Sequence, residues 1–242
     1  MKIELTMKGS PYMKGLRDDC VLQCEKYIQM AMDLQPDIEK IYSAMTISKE
    51  EYALNCKYMH RGYYCPSLIK EHYINNVSRG RILKRMAKAT RPTYHYLFDE
   101  DHKLRLAEEF LEKGTIKCEY IFHLDNISYG IIYPNTTIGR QGNISISKYE
   151  EGRLHSYIWA YWWPRAGEIY FYTIEQELYH YSGDGKLIAD VYEFSDQTGH
   201  YQKWQFDIGN QCDIVKGSEK LLISEMLALS EKEGLVTITV GY

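Results

Sequence analysis

Between Thr93 and Phe206 the chain breaks into short segments rich in Tyr, Ile, Phe and Trp, punctuated by Gly, Asp and Asn. Residues 116–122, 128–133, 144–149, 154–162, 168–174, 187–194 and 201–206 carry this alternating texture. A period of two puts successive side chains on opposite faces of a strand, and turn residues at this spacing join neighbours as hairpins. The run therefore predicts an antiparallel meander.

The flanks read differently. Residues 1–6 alternate as a strand. Ser10-Pro11 is an N-cap with proline at the first helical position, and Met13, Leu16, Cys20, Cys24, Tyr27, Ala31 and Leu34 recur at spacings of three and four. This predicts an amphipathic helix of about six turns, ended by Pro36, with a short second helix over 37–45. Ser48-Lys49-Glu50-Glu51 has the form of a capping box and predicts a third helix, stopping at Arg61-Gly62. Pro66-Ser67 opens a further one, and Ser78 caps another over 79–89. Near the end, Ser218 caps a helix through 231, and 235–242 forms a closing strand able to pair with the first. The expected fold is α+β: an N-terminal helical region packed on a large antiparallel β-meander, with a C-terminal helix and strand. The division falls at 1–92 and 93–242, or the two form one continuous domain.

Tyrosine is abundant: there are 23, and 15 lie from Tyr94 onward, several two apart. Residues two apart share a strand face, and tyrosine joins an apolar body to a polar tip. The pattern predicts a half-exposed tyrosine face, either thinly covered or used for binding. Charge is unequal as well. Residues 1–90 hold 15 Lys/Arg against 10 Asp/Glu, and residues 91–242 hold 14 against 23, within a net charge of −4. At 45% hydrophobic and 26% charged, the composition is that of a folded chain rather than a disordered one. Six cysteines are too sparse for a disulfide scaffold, no apolar run is long enough to span a membrane, and the N-terminus lacks a secretory stretch. The expected location is the cytoplasm.

Cys56, His60, Cys65 and His72 are soft-metal ligands within 17 residues, more loosely spaced than zinc sites favour, and a free cysteine is commonly a small buried residue. No metal or cofactor is expected. Arg79, Arg81, Lys84, Arg85, Lys88 and Arg91 place six cations in thirteen residues, with no acid between His72 and Phe98. They form a phosphate-holding face, or a solvated one that pairs with the chain's own acidic sheet; the net negative charge weighs against nucleic acid. Glu175, Glu177, Asp184, Asp190, Glu193 and Asp196 lie among Tyr170, Tyr172, Tyr179, Tyr181 and Tyr192, relieved only by Lys186. Tyrosine anchors among acids suit a basic protein partner. In the run 157–165, Trp159, Tyr161 and Trp163 share one face and Ile158, Ala160 and Trp162 the other, both read as core. No nucleophile elbow or phosphate-binding loop occurs.

A loose repeat runs through the meander. Residues 99–104 (Asp-Glu-Asp-His-Lys-Leu), 150–154 (Glu-Glu-Gly-Arg-Leu) and 183–187 (Gly-Asp-Gly-Lys-Leu) each join a turn, a basic residue and Leu to an outgoing strand. Asp-Gly favours hairpin turns because both residues tolerate positive φ. Tyrosine followed by such a turn resembles the tyrosine-aspartate repeats of Rhs-type polymorphic toxins and the MORN-variant repeats of antitoxin-like proteins, over residues 94–206 at most. The resemblance implies an association with bacterial toxin–immunity systems and carries no catalytic residues. The expected function is a non-catalytic protein-binding module, immunity or antitoxin-like, holding a toxin-like partner on the acidic tyrosine face. The alternatives are an enzyme acting on nucleic acid or carbohydrate, with a site assembled only in three dimensions, and a glycan or small-ligand binding module.

Overall fold

The computed structural model describes residues 2–4, 11–73, 76–84, 92–111, 116–135, 139–183, 186–195, 200–210 and 237–239. In chain order, β1 (Lys2–Glu4) is followed by α1 (Pro11–Leu34), α2 (Ile38–Ser43), β2 (Lys49–Leu54), α3 (Lys70–Tyr73) and β3 (Arg81–Ile82). The meander then runs through β4 (Tyr94–Phe98), β5 (Leu104–Phe110), β6 (Ile116–Leu124), β7 (Ile127–Ile132), β8 (Gly142–Glu150), β9 (Arg153–Arg165), β10 (Glu168–Tyr181), β11 (Lys186–Ser195) and β12 (His200–Asn210). These nine strands lie side by side in sequence order, and β2 and β3 extend the sheet beyond β4 to eleven strands. Every pairing is antiparallel. The closing strand β13 (Thr237–Thr239) pairs with β1, Lys2 opposite Thr239. The chain is thus α+β with a large antiparallel meander.

Alternation along the strands creates two interiors. One cross-strand row runs Ile131, Ile144, Ala160, Ile174 and Phe194. Its side chains are buried against Met13, Cys20, Cys24, Tyr27, Ile28 and Ala31 of α1. The helix therefore covers the sheet with the stripe read from its spacing, displaced slightly, since Leu34 is on the surface and Ile28 is inside. The opposite face is covered by residues 55–73 and 76–80, a strap between β2 and β3. Tyr94 and Tyr96 of β4 pack with Ala107 and Ile121 under it, and Ile69 of the strap packs with Tyr157, Tyr179, Val191 and Trp204. In the run 157–165, Ile158, Ala160 and Trp162 lie in the α1 core; on the other face Trp159 packs against the strap-side core, while Tyr161 and Trp163 are half-buried rather than core.

Several expected helices are not formed. The segment after Ser48 is β2, because it pairs in register with β4, with Ala53 buried opposite Tyr94 and Glu51 opposite Tyr96; Ser48 donates its backbone N–H to Phe98 O (2.9 Å) instead of capping a helix. Arg61-Gly62 is a tight turn rather than a helix stop. Past Pro66 the helix shrinks to the four residues of α3, with Ser67 Oγ accepting from Ile69 N and Lys70 N (3.3 and 3.0 Å). Ser78 bridges to Lys57, and Arg81–Ile82 is a strand, so residues 79–84 are not helical; 85–89 lie outside the described residues. The described part of the first ninety residues therefore holds one long α-helix, two short ones and three strands rather than four or five helices. The helix expected over 218–231 also lies outside the described residues.

Gly130 on β7 is required by a close approach, since a Cβ there would lie 2.0 Å from Glu119 Oε1 and 2.3 Å from Arg61 Nη2. Gly130→Ala is expected to lower stability by about 2–4 kcal/mol in urea denaturation, through displacement of a buried ion pair. Gly15, exposed on α1 with nothing within 4 Å of its would-be Cβ, provides the contrast. Gly15→Ala is expected to raise stability by about 0.5–1 kcal/mol.

Candidate functional site

The strap departs from ordinary backbone geometry in its first eight residues. Asn55, Tyr58, Arg61 and Gly62 all have positive φ, at 58°, 50°, 55° and 53°. Such conformations cost about 1–3 kcal/mol each for residues other than glycine, and they persist where the surroundings over-determine them. Tyr96 supplies part of that constraint: its hydroxyl donates to Arg61 O (2.8 Å) and accepts from Tyr63 N (3.0 Å). The side chain of Arg61 supplies more. Its Nε donates to Glu119 Oε1 (2.8 Å), and its Nη2 donates to Ser145 Oγ, which in turn donates to Glu119 Oε1 (3.0 Å). His60 Nε2 lies 2.9 Å from Glu119 Oε2, and Nδ1 is 2.8 Å from the Tyr157 hydroxyl.

A second buried cluster lies further along the strap. Lys70 Nζ donates to Glu175 Oε1 (3.0 Å) and sits 4.2 Å from the centre of the Trp159 ring. Tyr179 donates its hydroxyl to Glu177 and accepts from Leu68 N (2.9 Å). Titration follows from these contacts. Burial would raise the Glu119 carboxyl, but Arg61 and His60 outweigh it and hold the group well below the usual carboxylate range. Burial lowers His60, while burial and the Glu175 charge push Glu177 up to about 8. Burial and the same charge carry Glu193 up to about 7.

Beside the clusters, the strap and the sheet enclose a cleft of about 740 Å³. Arg61, Tyr63, Tyr64, Cys65 and Arg79 form its strap side; Ile121, His123, Ser128, Tyr149, Arg153 and Tyr181 are among the residues of its sheet side. Among the described residues, no carboxylate lines it. Arg79 is tied in place: it pairs with Glu71 (2.9 Å) and its guanidinium donates to the carbonyls of Cys65 and Ser67. Arg153 lies 5.3 Å over the Tyr181 ring, whose hydroxyl donates to Leu154 O (3.0 Å).

The residues expected to form an open acidic tyrosine face divide between interior and half-buried positions. Glu175, Glu177, Tyr179 and Tyr192 are buried, Glu175 beneath Lys70 and Glu177 against Tyr179, which leaves these four no solvent face for a partner. Glu175, Glu177 and Tyr179 lie on the face that the strap covers and alternation alone leaves open, whereas Tyr192 lies on the opposite face, in the core beneath α1. Tyr170 and Tyr172 are half-buried and meet edge to face at 5.1 Å beside the irregularity between Phe171 and Thr173. Tyr181 and Glu193 are also half-buried, and Asp184 lies outside the described residues. Of the basic run, Arg79 serves the strap, Arg81 and Lys84 are exposed, and Arg85, Lys88 and Arg91 lie outside the described residues. Cys56, His60 and Cys65 do not converge: Cys56 Sγ donates to Arg79 O (2.9 Å), His60 faces Glu119, and Cys65 is buried at the cleft; the His72 side chain lies outside the described residues. Among the described residues no group of three or more His, Cys, Asp or Glu is placed to hold a metal ion. No described helix is long and apolar enough to cross a membrane.

Sequence reasoning missed Arg61, Lys70 and Glu119, the residues that join strap to sheet. Glu119 shares its strand face with Lys117, Ile121 and His123, a mostly polar side that in sequence reads as solvent-facing and does not single it out. Compared with protein-family models, curated proteins and solved structures, the chain matches none.

Glu177 gives the site a pH signature. Its carboxyl titrates near 4.5 when unfolded and near 8 when folded, so between those values the folded chain holds the extra proton. Its contribution is full below about pH 4.5 and is lost as pH rises through about 8. Chemical denaturation at pH 5, 6.5 and 8 is expected to show that decline, and Glu177→Gln, which stays neutral, is expected to flatten most of it. Glu193 leaves a smaller slope of the same sign.

Proposed function

We propose that this protein is a non-catalytic binding module that takes a small anionic ligand in the cleft between strap and sheet. One observation carries the reading: among the described residues, Arg61, Arg79 and Arg153 line the cleft with four tyrosines and no carboxylate, on a chain of net charge −4. A cationic recess on an acidic molecule focuses its field on an incoming anion. About 740 Å³ also falls within the range of small-molecule sites. The neighbouring acid–base groups support binding over turnover. Glu119 is engaged by Arg61, His60 by Tyr157, and burial pushes the Cys65 thiol up to about 11, which keeps it protonated near neutrality. Thermal denaturation of the full chain is expected to show a rise in Tm with phosphate esters and none with amines of similar size. An equal rise with the amines, or an undiminished rise in Arg153→Glu, overturns the reading.

A protein partner of the immunity type has its own supporting observation. Tyr58, on the strap, is 80% exposed at φ 50°, with Lys57 Nζ 5.7 Å from its ring centre. An aromatic side chain held outward on a constrained turn is the kind of anchor that dominates interfaces. On this reading the contact is the strap rather than the face of β10. Tyr58→Ser is then expected to change stability by no more than about 0.5 kcal/mol. In calorimetry it weakens the complex with an adjacently encoded toxin-like protein by about tenfold; unchanged affinity counts against the strap as the contact.

A further inference from the structure

The cleft's chemistry is narrower than a preference for negative charge. Given that the cleft binds an anion, the proposal on which this step rests, we infer that its ligand is a small phosphorylated molecule carrying a planar ring, the class of the nucleoside phosphates.

Charge compensation is the first ground. Arg61 is neutralised from behind by Glu119 and Arg79 by Glu71, whereas among the described residues no carboxylate lies within ion-pair distance of Arg153. Among the described residues the cleft therefore keeps one guanidinium without a carboxylate partner, backed by two whose fields are partly cancelled. Guanidinium matches the oxygens of a phosphate with paired donors. The free hydroxyls extend that donor set: Ser128 Oγ and Tyr149 Oη make no hydrogen bond among the described residues, and both line the cleft.

The ring follows from the platform beside that cation. Arg153 lies over Tyr181, and the Tyr181 hydroxyl is fixed to Leu154 O, so a planar guanidinium and a planar phenol are held as a pair before any ligand enters. A base stacks on such surfaces whatever its sequence identity. Tyr63, 40% exposed, adds an aromatic surface on the strap side.

His123 provides for a ligand hydroxyl. Its Nε2 is 2.8 Å from Leu104 O and so carries the proton, and burial holds the ring neutral, which leaves Nδ1 an acceptor in the cleft wall. A phosphate-ester dianion, formed above its second pKa of about 6, has no proton for that acceptor; a sugar hydroxyl has. A nucleic-acid polymer is disfavoured by the net charge of −4 outside the cleft.

The test is titration calorimetry on the full chain at low salt, with AMP, UMP, adenosine, glucose 6-phosphate, inorganic phosphate and a neutral disaccharide. The expected result is binding of both nucleotides at least about tenfold tighter than adenosine or glucose 6-phosphate. Arg153→Ala, at an exposed position, and Tyr149→Phe are each expected to weaken that binding with unchanged Tm of the free protein; for Arg153 the loss is about tenfold. Glucose 6-phosphate binding as well as AMP removes the ring from the inference, and adenosine or the disaccharide binding as well as AMP removes the phosphate. Either result overturns the inference; an equally tight disaccharide or adenosine also removes the anion from the binding reading but leaves the cleft as a site. Nucleotide binding indifferent to both substitutions places the ligand elsewhere and overturns both, as does no binding by any of the six.

Discussion

Arg61 reaches from a strained turn in the strap to Glu119 on β6, and both side chains are only 4% exposed. Desolvating two charges costs several kcal/mol per ion, so such a pair persists where its remaining hydrogen bonds are also satisfied. Here Ser145 closes the third side, Gly130 leaves the space, and Tyr96 holds the Arg61 carbonyl. Loss of one partner strands a buried charge at a cost of about 3–5 kcal/mol. The positive φ of Arg61 and the path of the strap over β4–β6 follow from this contact more than from local propensity.

The same contact explains the division of charge along the sequence. Cations of the front half, Arg61 and Lys70, meet acids of the back half, Glu119 and Glu175, inside the molecule. A basic front and an acidic back are thus partly a means of internal pairing. Since Glu175, Glu177 and Glu193 lie near the single Lys70, the cluster carries excess negative charge, relieved by protonation: Glu177 and Glu193 are both pushed upward. The outward field of these acids is correspondingly reduced, which is why the nearby cleft is governed by its arginines.

The meander was legible because its information is local. Period-two alternation and turn residues place β6 through β12, within a few residues of their observed limits except at the end of β10, which runs to Tyr181 rather than 174; the stripe from Met13 to Ala31 locates α1 and its buried side. Residues 48–54 were not legible, since a capping box and a strand share the sequence Ser48-Lys49-Glu50-Glu51, and pairing with β4 decides between them. The site was less legible still. Ser145 and Ser147 alternate with Ile144 and Ile146 as an outward polar face would, yet both serines are buried. Alternation reports which side chains share a face; it carries no information on what covers that face.

That difference between the two covers accounts for where a cleft can exist. On one side a regular helix lays an apolar stripe along β7–β10, and side chains of Ile, Ala and Trp fill the space between them. Close packing of that kind leaves few voids larger than a water molecule. On the other side the cover is irregular backbone, fixed at separated points by ion pairs and tyrosine hydroxyls. Polar anchors specify position without filling volume, so the strap stands on them and leaves a recess between Arg61, Arg79 and the β8–β9 turn. The recess takes its chemistry from the anchors: the acids face inward to neutralise the strap's cations, and arginine and tyrosine remain to line the opening.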